Sequence, residues 1–360
     1  MIMPHMPRSA LAAALLEWYA AAARKMPWRG QSDPYKIWIS EIMLQQTRVE
    51  AATGYYLRFI AELPDAAALA AVPEDRLLKL WEGLGYYSRA RNLRRAAQVI
   101  VEQYGGSLPQ TARELLQLPG VGEYTAGAVA SIAYGERVPA VDGNVLRVMT
   151  RVLGDDGDIT RPDTRRRITR AVMREQPADR PGDFNQALME LGALVCLPRQ
   201  PQCGSCPLAG LCRARAEGRQ AMLPVKKAQA PRKIEQRTVL VLCAGGCAAL
   251  QKRPPRGLLA GLWEFPACAG HVSPEQAMQQ ARQWGLNPLS AEPLPAYRHI
   301  FTHREWDMHG FLVMAEGSGG PFEWVDWDRL RRDMALPSAL QGFERAAFQI
   351  LSREKRSNHP

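Results

Sequence analysis

The chain has 360 residues, of which 46% are hydrophobic and 23% are charged, and its formal net charge is +10. This length and composition predict soluble domains with proper cores, which excludes a disordered or fibrous protein. No apolar run approaches the roughly 18 residues of a membrane span, and the basic charge favours an anionic partner such as nucleic acid.

Residues 1–212 are predicted to be all-α. Ser9 is the expected N-cap of a helix over residues 9–23, and a long helix is expected from Ile37 to Tyr56. Glu17 interrupts the Ala-rich start, so we interpret that segment as the first helix rather than as a signal peptide, and we expect a cytoplasmic protein. Further helices, separated by prolines and glycines, are expected at about 66–71, 74–82, 88–104, 111–117, 124–134, 161–173 and 184–195.

A glycine-rich turn runs from Leu118 through Gly120 to Gly122, just before the helix at 124–134. Glycines let the N–H groups of a helix N-terminus approach an anion, and a DNA phosphate is a natural occupant. A lone acidic residue, Asp142, follows in the sequence Val-Asp-Gly-Asn, whose last two residues are expected to form a turn. The alternatives are an ordinary helix-breaking turn and an Asx-type turn at Asp142.

Four of the seven cysteines fall within 17 residues, with six, two and five residues between them. Four thiolates this close suit a tetrahedral metal centre in a reducing compartment better than a disulfide framework. Zinc is an alternative occupant for any pair of cysteines two residues apart. The candidate ligands are Cys196, Cys203, Cys206 and Cys212.

Glu41 is a second acidic candidate, because apolar residues surround it on the predicted helix that begins at Ile37. A carboxyl group bordered by apolar surface has a raised pKa, which a general acid requires. The alternative is a glutamate on the solvated face of the helix.

Residues 213–235 are polar and basic and are predicted to be an interdomain linker. Residues 236–354 are predicted to be a small α+β domain. Its expected elements are a β-hairpin of 237–243 and 247–252, a helix from Ser273 to Trp284, strands at 297–302 and 306–314, and a closing helix over 338–351.

Residues 26–212 resemble the adenine DNA glycosylase (MutY) family, within the helix-hairpin-helix DNA glycosylases. The resemblance rests on Trp38-Ile-Ser-Glu-Ile-Met-Leu-Gln-Gln-Thr-Arg, on Gly83-Leu-Gly-Tyr-Tyr-Ser-Arg-Ala-Arg-Asn-Leu, and on the turn and Val141-Asp-Gly-Asn. It implies a catalytic domain of two helical lobes with a cleft. The cysteine spacing resembles the loop of this family and of endonuclease III, which implies a [4Fe–4S] cluster.

The resemblance also implies roles in breaking an N-glycosidic bond. Glu41 would give a proton to N7 of adenine, and ionised Asp142 would support the cationic sugar or form a transient bond to it. Tyr124 and Asn144 would orient Asp142 and the sugar. Endonuclease III has a lysine at the position of Tyr124 that forms a Schiff base, so we expect a monofunctional enzyme without strong lyase action.

Further residues are expected around the two bases of a mispair, because the target base must leave the duplex. Gln46, on the long helix, and Tyr86 are implied to insert into the duplex beside the base opposite adenine. Trp28, Arg29 and Gln186 match adenine-pocket positions. The turn glycines and the following helix would hold a phosphate, together with a bound cation.

The second domain resembles the MutT-like C-terminal domain of the same family, through Gly257-Leu-Leu-Ala-Gly-Leu-Trp-Glu-Phe-Pro. MutT-type hydrolases bind Mg²⁺ through clustered carboxylates on a helix, and the helix from Glu275 has largely lost them, so pyrophosphate hydrolysis is not expected. Phe301, Thr302 and His303 stand where the family has Phe-Ser-His that recognises 8-oxoguanine. The alternative is a plain hairpin tip.

The sequence therefore predicts a monomeric DNA glycosylase that removes adenine opposite 8-oxoguanine or guanine in double-stranded DNA, with no membrane partner. One alternative is an endonuclease III-like pyrimidine glycosylase and AP lyase, against which Tyr124 and the second domain argue. The other is a non-catalytic iron–sulfur DNA-binding protein, against which Glu41 and Asp142 argue.

Overall fold

The computed structural model describes residues 9–227 and 231–357, with side chains described up to residue 353. Contacts divide the chain into two compact units, residues 1–71 with 92–228, and residues 72–91 with 229–360. No helix in the described ranges is long and apolar enough to cross a membrane. Residues 228–230 of the predicted linker lie outside the described residues, and the domain limits drawn from the sequence stay a prediction.

Residues 9–227 contain helices and no strand, as the sequence predicts. Ser9 caps the first helix, and its hydroxyl accepts from the Ala12 N–H. Residues 72–91, with α5, belong to the second unit. The helices are α1 (Ala10–Ala22), α2 (Pro34–Leu44), α3 (Val49–Glu62), α4 (Ala66–Ala71), α5 (Glu74–Leu80), α6 (Ser88–Tyr104), α7 (Ala112–Leu115), α8 (Glu123–Tyr134), α9 (Gly143–Leu153), α10 (Pro162–Glu175), α11 (Pro181–Leu194) and α12 (Arg213–Ala216).

In one hydrophobic core of the first unit, the first helix packs with helices from the end of the unit. Leu11, Leu15 and Leu16 of α1 pack with the apolar faces of α9, α10 and α11. Leu208, from the cysteine-containing loop, is buried in the same core. This packing fixes the cysteine loop against α9, the helix that begins directly after Asp142.

The predicted long helix from Ile37 to Tyr56 is wrong, because the chain breaks it between α2 and α3. Gln46 has a left-handed backbone with φ +61°, and the Gln45 amide donates to the Thr125 hydroxyl at 3.2 Å. A left-handed residue ends an α-helix, and the contact with Thr125 of α8 is tertiary. The apolar pattern of the sequence runs on across this break. A sequence window therefore shows no sign of the break, which coincides with the tertiary contact to Thr125.

The turn predicted at Gly143 and Asn144 is also wrong, because these residues form the first turn of α9. Asp142 is the N-cap of α9, and its side chain accepts from the Val145 N–H. Aspartate is a strong N-cap residue, so the sequence contained a helix start signal that was interpreted as a turn.

The second unit contains a mixed seven-stranded sheet among its described residues, with β1 and β6 parallel at its centre. Its path is β3-β2-β1-β6-β5, with β4 paired to β1 and β7 paired to β2. The strands are β1 (Lys233–Ala244), β2 (Cys247–Lys252), β3 (Trp263–Glu264), β4 (Ala267–Ala269), β5 (Pro288–Ile300), β6 (Arg304–Ala315) and β7 (Glu323–Asp326), and the helices are α13 (Pro274–Gln283), α14 (Trp327–Asp333) and α15 (Gln341–Ser357).

Side chains of β1 alternate between two buried faces of this sheet. Val239 and Val241 pack with α14 and α15, whereas Leu240 and Leu242 pack with α13. The predicted hairpin of β1 and β2, the capped helix α13 and the strands β5 and β6 are confirmed. The prediction missed β3, β4, β7 and α14, and it assigned to the linker both α12 and the start of β1.

The β1 strand begins inside the predicted linker because Lys233 pairs with Arg304 of β6. This parallel pairing joins residues that are 71 positions apart, and a sequence window shows no sign of it.

We expect Gly120→Ala to destabilise the first unit by about 2–3 kcal/mol. Gly120 has φ +77°, and an added Cβ would lie 2.5 Å from the Asn92 Cβ. Gly122→Ala is the matched control, since φ there is −99° and no atom lies within 4 Å of an added Cβ. Thermal unfolding followed by circular dichroism measures both variants, and equal midpoints would contradict the argument.

Candidate functional site

The glycine turn before α8 leaves a helix N-terminus open to an anion. Gly120 packs closely on Asn92, which fixes the turn. Gly122 is the N-cap of α8, and no side chain caps the first-turn N–H groups. Unsatisfied N–H groups and the helix dipole together attract negative charge at this position.

Glu41 is a buried carboxyl group on α2, with 7% of its surface exposed. Burial raises the pKa of Glu41 to about 7, and the nearby charge of Asp142 adds to the shift. The Tyr124 hydroxyl donates a hydrogen bond to Glu41 Oε2 at 2.5 Å, which opposes the shift, as does the charge of Arg29. The raised pKa expected from the sequence is confirmed, and the group can hold a proton near neutral pH.

Asp142 is the other carboxyl group of this cluster, and its surroundings differ from those of Glu41. Its Oδ1 accepts from the Val145 N–H at 2.7 Å, and its Oδ2 accepts from the Asn144 amide at 2.8 Å. Burial raises the pKa of Asp142, while these hydrogen bonds and the charge of Arg147 oppose the shift. Donors aimed at Asp142 favour its ionised form and limit the rise in pKa that burial causes.

Arg147 is a residue of this cluster that the sequence analysis missed. Its guanidinium donates to Asn144 Oδ1 at 2.8 Å, to the Gly192 carbonyl at 2.7 Å and to the Cys196 carbonyl at 2.7 Å. An added Cβ on Gly192 would lie 2.6 Å from the Asn144 Cβ, so α11 fits closely against the start of α9. The spacing of Asn144 and Arg147, one helical turn, becomes informative only once α9 is recognised as a helix.

The predicted adenine-pocket residues lie in the first unit, and Arg29 is the one with the clearest link to Glu41. Arg29 donates to Glu190 Oε2 at 3.1 Å, and its charge acts on Glu41. Burial opposes ionisation of Glu190, but hydrogen bonds from Arg24 and Arg29 outweigh it and hold the pKa of Glu190 at about 2. Trp28 is buried, and Gln186 is half-buried on α11.

Phe301, Thr302 and His303 form the tip between β5 and β6 in the second unit, as the sequence predicts. The Tyr86 hydroxyl lies 3.0 Å from Thr302 Oγ1. Tyr86 and these three residues line a groove of about 660 Å³ within this unit. The structure therefore brings together two stretches that the sequence assigned to different domains.

Three non-glycine residues of the described chain have a left-handed backbone, Gln46 (φ +61°), Tyr86 (φ +46°) and Leu259 (φ +54°). Such a conformation costs about 1–2 kcal/mol per residue and persists where the surrounding structure imposes it. Gln46 and Tyr86 are exposed, and they are the two residues for which the sequence analysis predicted insertion into a duplex.

The four clustered cysteines line one small cavity beside α9, with a volume of about 20 Å³. The guanidinium of Arg151, which is 1% exposed, donates to Cys196 Sγ at 3.2 Å and to the Leu197 carbonyl at 2.7 Å. A buried cation at this position offsets the negative charge that cysteine ligands bring to a metal centre. Within the described ranges, no three His, Cys, Asp or Glu side chains are arranged to hold a single metal ion.

Family models match three parts of the chain. Residues 39–174 match the HhH-GPD superfamily of base excision DNA repair proteins, and residues 237–343 match the NUDIX domain. Residues 196–212 match the iron–sulfur binding domain of endonuclease III.

Adenine DNA glycosylases match the chain over most of its length. The rat protein is 34% identical, with 95% of this chain and 78% of that protein covered. The protein of Buchnera aphidicola from Acyrthosiphon pisum is 33% identical, with 80% and 82% covered. The chain belongs to the adenine DNA glycosylase family. It is therefore an enzyme of base excision repair.

Solved structures agree with the helical fold of this glycosylase. A thermostable thymine-DNA glycosylase is 29% identical with a TM-score of 0.54, and it covers 57% of this chain and 95% of its own. Endonuclease III in a non-covalent DNA complex is 25% identical with a TM-score of 0.50, and the match covers 59% and 98% of the two chains. The glycosylase binds DNA.

The cofactor of the enzyme is a [4Fe–4S] cluster, as the iron–sulfur match over residues 196–212 shows. The cavity that the four cysteines line and the Arg151 cation beside Cys196 fit such a group. Zinc, the alternative kept open by the sequence, does not fit the iron–sulfur match.

We expect Glu41→Gln to gain stability relative to the parent enzyme as the pH rises from about 5 to about 8.5. The folded-state pKa of Glu41 is raised, so the cost of burying its charge is absent below about pH 4.5 and complete above about pH 7. The difference between the two proteins should shift by about 3 kcal/mol at most. Denaturant unfolding at both pH values measures it.

Glu190→Gln is the matched control for this measurement. The pKa of Glu190 is held at about 2, so its ionised form stabilises the protein above about pH 4.5 and is lost only at lower pH. The stability gap between Glu190→Gln and the parent should therefore stay constant from pH 5 to 8.5. A constant gap for Glu41→Gln as well would contradict the raised pKa of Glu41.

Proposed function

We propose that this glycosylase removes adenine paired with 8-oxoguanine, or with guanine, by hydrolysing the N-glycosidic bond, without cutting the strand. The observation that carries the proposal is the pair of neighbouring carboxyl groups: Glu41 is buried with a raised pKa, and Asp142 is held by two hydrogen-bond donors at the start of α9. Names of the relatives supply adenine as the base, and Phe301, Thr302 and His303 suggest the damaged partner.

Glu41 is the general acid of the proposed reaction. Adenine is a poor leaving group as an anion, so the proton of Glu41 passes to N7 while the C1′–N9 bond breaks and its electron pair leaves with the base. With a pKa of about 7, a substantial fraction of Glu41 carries this proton at neutral pH. The Tyr124 hydroxyl donates to Glu41, so we propose that it orients this carboxyl group, whereas the resemblance implies that it orients Asp142 and the sugar.

Asp142 stabilises the positive charge that develops on the deoxyribose. Its hydrogen bonds from Val145 and Asn144 fix the carboxylate at the start of α9. Water then adds to C1′ and releases one proton, which returns Glu41 to its protonated form by way of solvent and leaves free adenine and an abasic site. Arg29 and Trp28 support the proposed adenine pocket, with Arg29 held in place by Glu190.

The groove at Thr302 supports recognition of the base opposite adenine. At its N7 position, 8-oxoguanine has a hydrogen-bond donor where guanine has an acceptor, and a hydroxyl oxygen can accept from it. Thr302 is exposed at the tip, and its hydroxyl pairs with Tyr86. Tyr86 and Gln46 are proposed to fill the space beside the unpaired base.

The cluster holds a loop in shape rather than taking part in bond cleavage in this proposal. The ligands are the four cysteines at 196–212, and Arg147 links that loop to Asn144.

The enzyme is proposed to act as a monomer in the cytoplasm. Sedimentation of the holoenzyme with a short duplex tests the first point, and cell fractionation tests the second.

Excision of adenine opposite 8-oxoguanine tests the proposed substrate. We expect strand scission after alkali on A:8-oxoguanine and A:G duplexes and none on thymine-glycol duplexes. Glu41→Gln and Asp142→Asn should each reduce the single-turnover rate at least a hundredfold, because general acid–base steps contribute that much. Thr302→Val, which keeps the shape without the hydroxyl, should reduce the preference for 8-oxoguanine over guanine. Cleavage of thymine glycol would support the endonuclease III-like alternative.

Borohydride trapping tests the absence of lyase action. Tyr124 has no amine to form a Schiff base with the sugar, so we expect little covalent complex after reduction with borohydride. Strand scission should require added alkali. A trapped complex in high yield would show an amine nucleophile elsewhere in the site and would refute the monofunctional mechanism.

A further inference from the structure

A short loop from Gly257 to Gly261 forms part of the groove wall in the second unit. Two arginines hold its carbonyl groups. Arg253 donates to the Leu258 carbonyl at 2.9 Å, and Arg91 donates to the Ala260 carbonyl. The Gly261 N–H donates to the Pro254 carbonyl at 3.1 Å, which closes the loop. These contacts impose one shape on the loop.

Leu259 has a left-handed backbone at the centre of this loop, with φ +54°. Gly257 and Gly261 have φ values of +97° and +66°, which glycine adopts without strain. Leucine at position 259 has a conformational cost that glycine would not have. The other two left-handed positions of this loop, 257 and 261, are both occupied by glycine. The side chain of Leu259 therefore has a use that outweighs this cost.

The position of Leu259 indicates what that use is. Leu259 is half-buried: one part of its side chain packs against the hydrophobic core of the sheet, and the rest lines the same groove as Phe301, Thr302 and His303. No acidic side chain is among the described residues that line this groove, whereas Arg232 and other basic side chains are. An apolar side chain in a basic groove suits a base or sugar bordered by phosphates.

We infer that Leu259 is a third strained side chain that contacts DNA, packing against the nucleotide on the strand opposite the target adenine. The inference rests on the proposed function, which places that strand in the groove. Leu259 contributes apolar contact area and shape, whereas the Thr302 hydroxyl contributes the hydrogen bond. Because the loop is held by Arg253 and Arg91, the side chain is already in place before DNA binds.

Leu259→Gly separates this role from a structural one. Glycine keeps the left-handed backbone and relieves its strain, which offsets the loss of the partial packing of Leu259 against the core, so the thermal midpoint should stay near the parent value. Affinity for a duplex with an abasic-site analogue opposite 8-oxoguanine should fall about tenfold, since burial of a leucine side chain contributes at least that factor. Leu259→Asn, which tolerates the same backbone, should show the same loss.

Leu312→Ala is the control, because Leu312 is buried in the core of the same unit and does not line the groove. It should lower the thermal midpoint and leave affinity for folded protein unchanged. An affinity of Leu259→Gly within twofold of the parent overturns the inference. So does a Leu259→Gly variant that loses midpoint and affinity together, as Leu259 would then only pack the core.

A fluorescent base distinguishes failure of this inference from failure of the proposed function. If the parent does not prefer 8-oxoguanine over guanine, the recognition part of the proposed function fails. The contact of Leu259 is then tested by the fluorescence of 2-aminopurine, a base analogue placed next to the base opposite adenine. Binding by the parent should change its fluorescence, and Leu259→Gly should remove most of that change. An unaltered change in the variant overturns the inference independently of base preference.

Discussion

The chemistry proposed for this glycosylase depends on keeping a carboxyl group protonated near neutral pH, and burial is the interaction that raises the pKa of that group. Glu41 sits on an apolar helix, where desolvation raises its pKa to about 7. A buried carboxyl group is costly to stability once it ionises, so the surrounding packing has to offset that cost. The extensive core of α1, α9, α10 and α11 lies in the same unit and contributes to that stability.

The proposed mechanism requires an ionised Asp142, and the backbone geometry at the start of α9 opposes the rise in pKa that burial causes there. A helix N-cap directs N–H groups at a carboxylate, and Asn144 adds a second donor. Arg147 and the close contact of Gly192 fix Asn144 in turn. Hydrogen bonds through Arg147 and Asn144 thus link the cysteine loop to Asp142.

The second unit shows how a sheet can keep its architecture while its chemistry changes. Helix α13 packs on one face of the sheet, yet it carries glutamines where a metal-binding helix needs carboxylates. Its acidic residue, Glu275, accepts a hydrogen bond from the Ser273 hydroxyl at the helix cap. The unit contributes instead a groove whose walls come from Tyr86, the β5–β6 tip and a rigid loop. Recognition needs shape and a few donors, which this sheet can supply without a metal.

The sequence by itself determined the class of both domains and the iron–sulfur loop, and it named Glu41, Asp142 and the β5–β6 tip as candidates, because these depend on residue type and on spacing within short motifs. It failed where long-range contacts decide the backbone. The break at Gln46 depends on a contact between α2 and α8, and β1 begins at Lys233 because of a parallel partner far along the chain. Residues 72–91 pack with the second unit, although the sequence attached them to the first domain. Local sequence patterns determine the secondary-structure propensity of a segment and the chemistry of its side chains. Strand pairing, backbone strain and the grouping of distant segments are decided only when the chain packs.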